Sequence, residues 1–190
     1  MITLLLLASA ISGDRPETSP VICPTATNSA SSLALSKRLS KIESHRALRR
    51  SMGEPMPTAA TMVMLYGYGG HLATSEYSIV LARGTDGVWR GTAVGRTRIW
   101  VQDAPYTPMS RVEWALDPAA GKQLNDSVDR HCPRVDRPYS PSKKPSPPPL
   151  GTIFEVLDVV TGDHQHAVSV APYRSDDLAT MVRPPAGTNP

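Results

Sequence analysis

The sequence predicts an α+β fold, an antiparallel sheet built from two β-hairpins with two or three flanking helices, and three observations lead there. Glu76 to Gly95, EYSIVLARGTDGVWRGTAVG, alternates apolar and polar residues on both sides of a Thr-Asp-Gly turn. TIFEVLDVV and HAVSVA, Thr152–Val160 and His166–Ala171, repeat that theme around Thr161-Gly162-Asp163-His164-Gln165. Two further stretches, Ser32–Arg50 and Asp117–Arg130, carry apolar residues at helical rather than strand spacing.

In chain order, Met1–Ala10 reads as a signal peptide: the Leu4–Leu7 run precedes Ala8-Ser9-Ala10, a small-x-small cleavage pattern, although no Lys or Arg stands before it. Ile11–Ala30 is Ser, Thr, Pro and Asn with little to bury, which predicts a disordered leader. A single α+β domain is expected over 31–183. Its first helix, Ser32–Arg50, places Leu35, Leu39 and Ile42 at i, i+4 and i+7, with Ser31 or Ser32 as N-cap and Gly53 and Pro55 as stop signals. The other face is basic: Lys37, Arg38, Lys41, Arg46, Arg49 and Arg50 stand against a lone Glu43. Such a face can bind an anionic surface, and it can equally be the solvated side of a helix docked on a sheet.

Thr58–Tyr66 reads as a strand, and Gly67-Tyr68-Gly69-Gly70-His71 as a wide turn that lacks the Lys-Ser/Thr and the glycine spacing of phosphate-binding loops. The register of the next hairpin follows from its charges. A two-residue Asp86-Gly87 turn sets Arg83 opposite Arg90, where like charges repel. A three-residue loop, Thr85-Asp86-Gly87 with Gly87 left-handed, sets Arg83 opposite Trp89 and Ile79 opposite Ala93, and gathers Tyr77, Ile79, Leu81 and Trp89 on one face. In that register the Arg83 guanidinium can lie over the indole. Thr97–Gln102, with Ile99, Trp100 and Val101, reads as a third strand.

Asp117 is a good N-cap and Pro118 suits the first helical position, with Leu124 and Val128 at i and i+4 behind them. Pro133–Pro149 is a basic, proline-rich loop of polyproline II character, with a PxxP spacing at Pro145 and Pro148. Asp176–Arg183 predicts a short closing helix stopped by Pro184-Pro185, and 184–190 a disordered tail.

The segment LDPAAGKQLNDSVDRHC, Leu116–Cys132, resembles small uncharacterised exported bacterial proteins, a resemblance that implies no activity. The two cysteines, Cys23 and Cys132, allow one intramolecular disulfide in an exported chain, closing a loop worth up to roughly 4 to 5 kcal/mol; the alternative is two free thiols.

With 19 prolines in 190 residues and a net charge of +3, the chain has room for one modest core but lacks a nucleic-acid binder's concentrated basic footprint. No apolar run reaches the roughly 20 residues of a membrane span. His164 and His166 share a strand face, but with His131 and Cys132 elsewhere they make only a partial ligand set, so no metal or other cofactor is expected. No nucleophile elbow or Cys-His signature occurs, and a hydrolase would have to use His71, His164 or His166 as base. The expected function is a non-catalytic periplasmic or secreted protein that binds another envelope protein or an anionic surface, with no specific nucleic acid. The alternatives are a small cofactor-free hydrolase and a structural accessory or spurious product with no biochemical activity.

Overall fold

The computed structural model of the chain describes residues 40–130, 151–162, 164–170 and 177–186. The α+β architecture is the expected one. An antiparallel sheet carries one helix on one face and two on the other. Helix α1 is Ile42–Ser51; strands β1 Thr61–Gly70, β2 Ala73–Arg83 and β3 Trp89–Ile99 form a meander. Two short strands follow, β4 Thr107–Pro108 and β5 Val112–Ala115, then helix α2 Pro118–Arg130, strands β6 Ile153–Thr161 and β7 His164–Val170, and helix α3 Asp177–Val182. The strand order is β4-β3-β2-β1-β6-β7, and β5 shares the outer edge of β3 with β4.

The β2–β3 register agrees with the charge argument. Arg83 pairs with Trp89 and Ile79 with Ala93, while Gly87 takes a φ of 78°. The Gly84 N–H reaches Val88 O at 2.9 Å, and the Gly87 N–H reaches Gly84 O at 2.9 Å, which leaves three loop residues. The expected Arg83–indole stack does not form. Trp89 is buried and gives its indole N–H to Asn125 Oδ1 of α2 at 2.9 Å, while Arg83 stays exposed.

Register assigns the two faces. Val63 and Leu65 of β1, Ile79 and Leu81 of β2, Trp89 and Ala93 of β3 and Leu157 and Val159 of β6 form a dry core under Leu124 and Val128 of α2 and Leu178 and Val182 of α3. On the opposite face Met64, Val80 and Val160 meet Ile42 of α1. Helix α2 starts as expected, with Asp117 Oδ1 accepting the Ala120 N–H at 2.8 Å.

Four expectations need correction. The glycines after Tyr66 continue β1 and do not make a wide turn; the turn to β2 is only His71-Leu72. The reason is cross-strand: Gly67 lies opposite Tyr77, and a Cβ there would land inside the tyrosine ring. Thr97–Gln102 is not a third strand, because Thr97–Ile99 completes β3 and the chain then turns. His164 belongs to β7 and not to a turn, since it pairs with Thr161 at the end of β6.

The fourth concerns the first helix. Ser40 and Lys41 are not helical, so α1 begins at Ile42, and Leu35 and Leu39 lie outside the described residues. What starts it is a residue of β6: Asp158 Oδ2 accepts the Lys41 N–H at 2.9 Å, placing a carboxylate at the positive end of the helix. It ends on Gly53, φ 71°, with the Glu54 N–H bonded to Arg49 O and the Gly53 N–H to Arg50 O, closing the orphan carbonyls in a Schellman motif.

Candidate functional site

Helix α1 presents Ile42, His45, Leu48 and Arg49 to the sheet. Two of those four are polar. His45 Nδ1 lies 2.7 Å from Ser78 Oγ, and Arg49 reaches Thr92 Oγ1 at 2.6 Å, Ser78 Oγ at 3.4 Å and Glu54 Oε1 at 3.5 Å. A Ser–His contact of this length is the geometry of an activated nucleophile. Its setting forbids that use, because His45, Ser78 and Arg49 are all fully buried and a substrate has no way in. Burial, helped by the Arg49 charge, lowers the His45 pKa to about 3, so the imidazole is neutral and a very weak base. The cluster locks α1 to β2 and β3.

Of the basic residues expected at a surface, Lys41, Arg46 and Arg50 are exposed, and Arg46 is paired with Glu43 at 2.6 Å. Arg49 is not a surface residue: the turn that follows α1 and strands β2 and β3 supply its oxygens, and they draw it inside. Lys37, Arg38, Cys23, Cys132 and the proline-rich segment lie outside the described residues. The candidate bases do not meet. His71 follows the end of β1, whereas His164 and His166 pair with Thr161 and Val159 beside the start of β1, about 30 Å away along the strands. Among the described residues no three His, Cys, Asp or Glu side chains are grouped as metal ligands.

An open groove of about 900 Å³ lies at the end of the sheet where β1 begins, between Thr58–Thr61 and the β2–β3 turn. Its charged groups are largely engaged with one another or with neighbours: Arg90 with Asp86 at 2.7 Å and Glu113 with Arg111. No nucleophile–base pair is present among its lining residues.

The opposite end of the sheet differs in kind. Trp100 is 79 % exposed and Leu72 75 % exposed, with Ile99 and Val101 beside them. These side chains sit on tied backbone, since the Trp100 N–H donates to Leu72 O at 2.9 Å and so joins the β1–β2 turn to the turn after β3. Val101 bonds back to Ile99 and Ala104 to Val101, and Asp103 takes a left-handed φ of 58°. Tyr68 and Phe154 face each other across β1 and β6, both half exposed, with Ile153 alongside.

Beneath this end runs a bonded lattice. Glu76 accepts the Tyr66 hydroxyl on one oxygen and Arg96 at 2.7 Å on the other. The Arg96 guanidinium lies 3.9 Å from the Tyr106 ring centroid, with Arg98 at 5.0 Å. Burial and the Glu76 carboxylate push the Tyr66 pKa upward, so its hydroxyl stays a donor.

Sequence reasoning missed this end because Ile99-Trp100-Val101 was counted as strand. Three consecutive large apolar residues without alternation, followed by Gln-Asp-Ala-Pro, were the available signal of a turn with apolar tips. No described helix is long and apolar enough to cross a membrane. Comparison with protein-family models, curated proteins and solved structures finds no match to this chain.

Proposed function

We propose that the chain is a non-catalytic docking protein that engages its partner through the aromatic end of the sheet, and that it does so outside the cytoplasm, as its leading residues suggest. One observation carries this reading: Leu72, Ile99, Trp100 and Val101 are exposed together on two turns joined by a backbone hydrogen bond. Soluble proteins rarely leave a contiguous apolar patch uncovered unless it binds something. Composition supports the same reading, since aromatic residues and Arg are enriched where interfaces form, and Tyr68, Tyr106, Phe154, Arg96 and Arg98 surround the tip. The Glu76 lattice holds these groups before a partner arrives, which lowers the entropy cost of binding.

The test needs no knowledge of the partner. The folded wild-type chain is expected to take up the apolar dye anilinonaphthalene sulfonate, and Leu72→Ser/Trp100→Ser/Val101→Ser to lose that uptake with an unchanged melting temperature. A native chain that binds no dye, or a triple variant that unfolds, would show that these side chains belong to the packing of the protein and not to a docking surface.

A further inference from the structure

Resting on the docking reading above, we infer that the partner at this end is the surface of a lipid bilayer, entered by the tip Leu72, Trp100 and Val101. The apolar side chains project from turns and lie outside the groove at the other end of the sheet, so they fit a penetrable medium better than a shaped protein surface. Their layering by depth matches a membrane interface. Arg98 is the penultimate residue of β3 and Trp100 follows the end of that strand, so the guanidinium is rooted at most about 7 Å behind the indole, within the span from acyl boundary to headgroups. At that level stands Tyr106, stacked under Arg98, and two residues farther back Tyr68 on β1, level with Arg96; each has an apolar body and a polar end, the kind of group found among headgroups.

Charge selects the lipid. Arg96 is taken up by Glu76, but among the described residues no carboxylate is paired with Arg98. Asp103 in the same turn offsets part of that attraction. Lys41, just before α1, and Arg50 on it are exposed farther back on the face that carries Arg98 and add long-range attraction, and the chain as a whole is +3. Anionic phospholipid is therefore favoured over zwitterionic lipid.

The experiment is flotation of the full chain with vesicles of phosphatidylcholine alone and of phosphatidylcholine mixed with phosphatidylglycerol, with tryptophan emission read in parallel. The wild type should float with the anionic vesicles, more weakly at high salt, and its emission should shift to the blue. Trp100→Ser/Val101→Ser should lower the affinity about tenfold or more. Arg98→Glu should lower it about fivefold or more on anionic vesicles only. Trp100→Phe should keep flotation while losing the emission shift, which assigns the inserted residue. Absence of flotation with dye uptake intact would overturn the lipid assignment and leave a protein partner for the same surface. Absence of both would overturn the docking reading as well, and undiminished flotation of the double variant would overturn the tip as the point of entry.

Discussion

Acidification should weaken this protein through His45 before its carboxylates titrate. In the folded chain the imidazole stays neutral until the pH approaches 3, because burial and the neighbouring Arg49 both oppose its charge; unfolded, it takes a proton below its ordinary value of 6.5. Protons therefore favour the unfolded chain. The contribution of His45 is fully present above the unfolded pKa and is lost progressively as the pH falls toward the folded one. Lowering the pH from about 7.5 to about 4.5 should remove about 2 to 3 kcal/mol by this route alone. Asp158 acts in the opposite direction, since burial raises its pKa and protonation relieves the folded state. It is common to wild type and variant, so their difference isolates the histidine. The assay is urea unfolding of wild type and His45→Gln at both pH values. Wild type should lose about 2 kcal/mol more than the variant on acidification. Equal losses, or an imidazole resonance for His45 that titrates near 6.5, would refute the buried neutral histidine and with it the docking of α1.

Substitutions at three positions test the fold directly. Gly87→Ala puts a Cβ at a φ of 78° and should cost about 1 kcal/mol in chemical denaturation, with Gly87→Asn costing less, because strain and not space is the obstacle there. Gly67→Ala should cost more, about 2 kcal/mol or above, since the Tyr77 ring must leave its place and give up its bond to Glu155; an unchanged melting curve would mean that the ring does not cross β1. Leu124→Ala on α2 should cost about 2 to 5 kcal/mol, measured by urea unfolding, and a loss under 1 kcal/mol would place α2 off the sheet.

What could be read from the sequence depended on whether the deciding partner was local. Arg83, Arg90 and Gly87 lie within eight residues, so charge and turn chemistry sufficed for the β2–β3 register. Asp117-Pro118 likewise carries the start of α2 within itself. The fate of α1 was decided at a distance: Ser78 is 33 residues from His45, Thr92 is 43 from Arg49, and Asp158 is 117 from Lys41. A basic residue with no visible partner reads as solvated, and Arg49 was therefore placed on the wrong side of its helix. The glycines of β1 failed for the same reason, because only the β1–β2 register reveals that Tyr77 needs the space over Gly67. At the tip the deciding fact was the end of pairing. The strand pattern Ile99-Trp100-Val101 does not announce that the partner strand has already begun at Ala73.

The polar face of the sheet also explains why the exposed end can be rigid. An apolar stripe of Ile42 and Leu48 alone would tolerate small slides of α1, whereas directed bonds from Asp158, Ser78 and Thr92 fix its start, middle and end. On the same face His45 meets Tyr66 edge-on, with centroids 5.4 Å apart, and Tyr66 in turn bonds to Glu76. Glu76 holds Arg96, and Arg96 lies against Tyr106. A continuous chain of contacts thus runs from the buried face of α1 to the rim of the exposed tip, made of groups that an all-apolar core could not have oriented. Their burial offers little net stability, since desolvation offsets much of each bond. What they supply is position, which the docking surface proposed above would need more than stability.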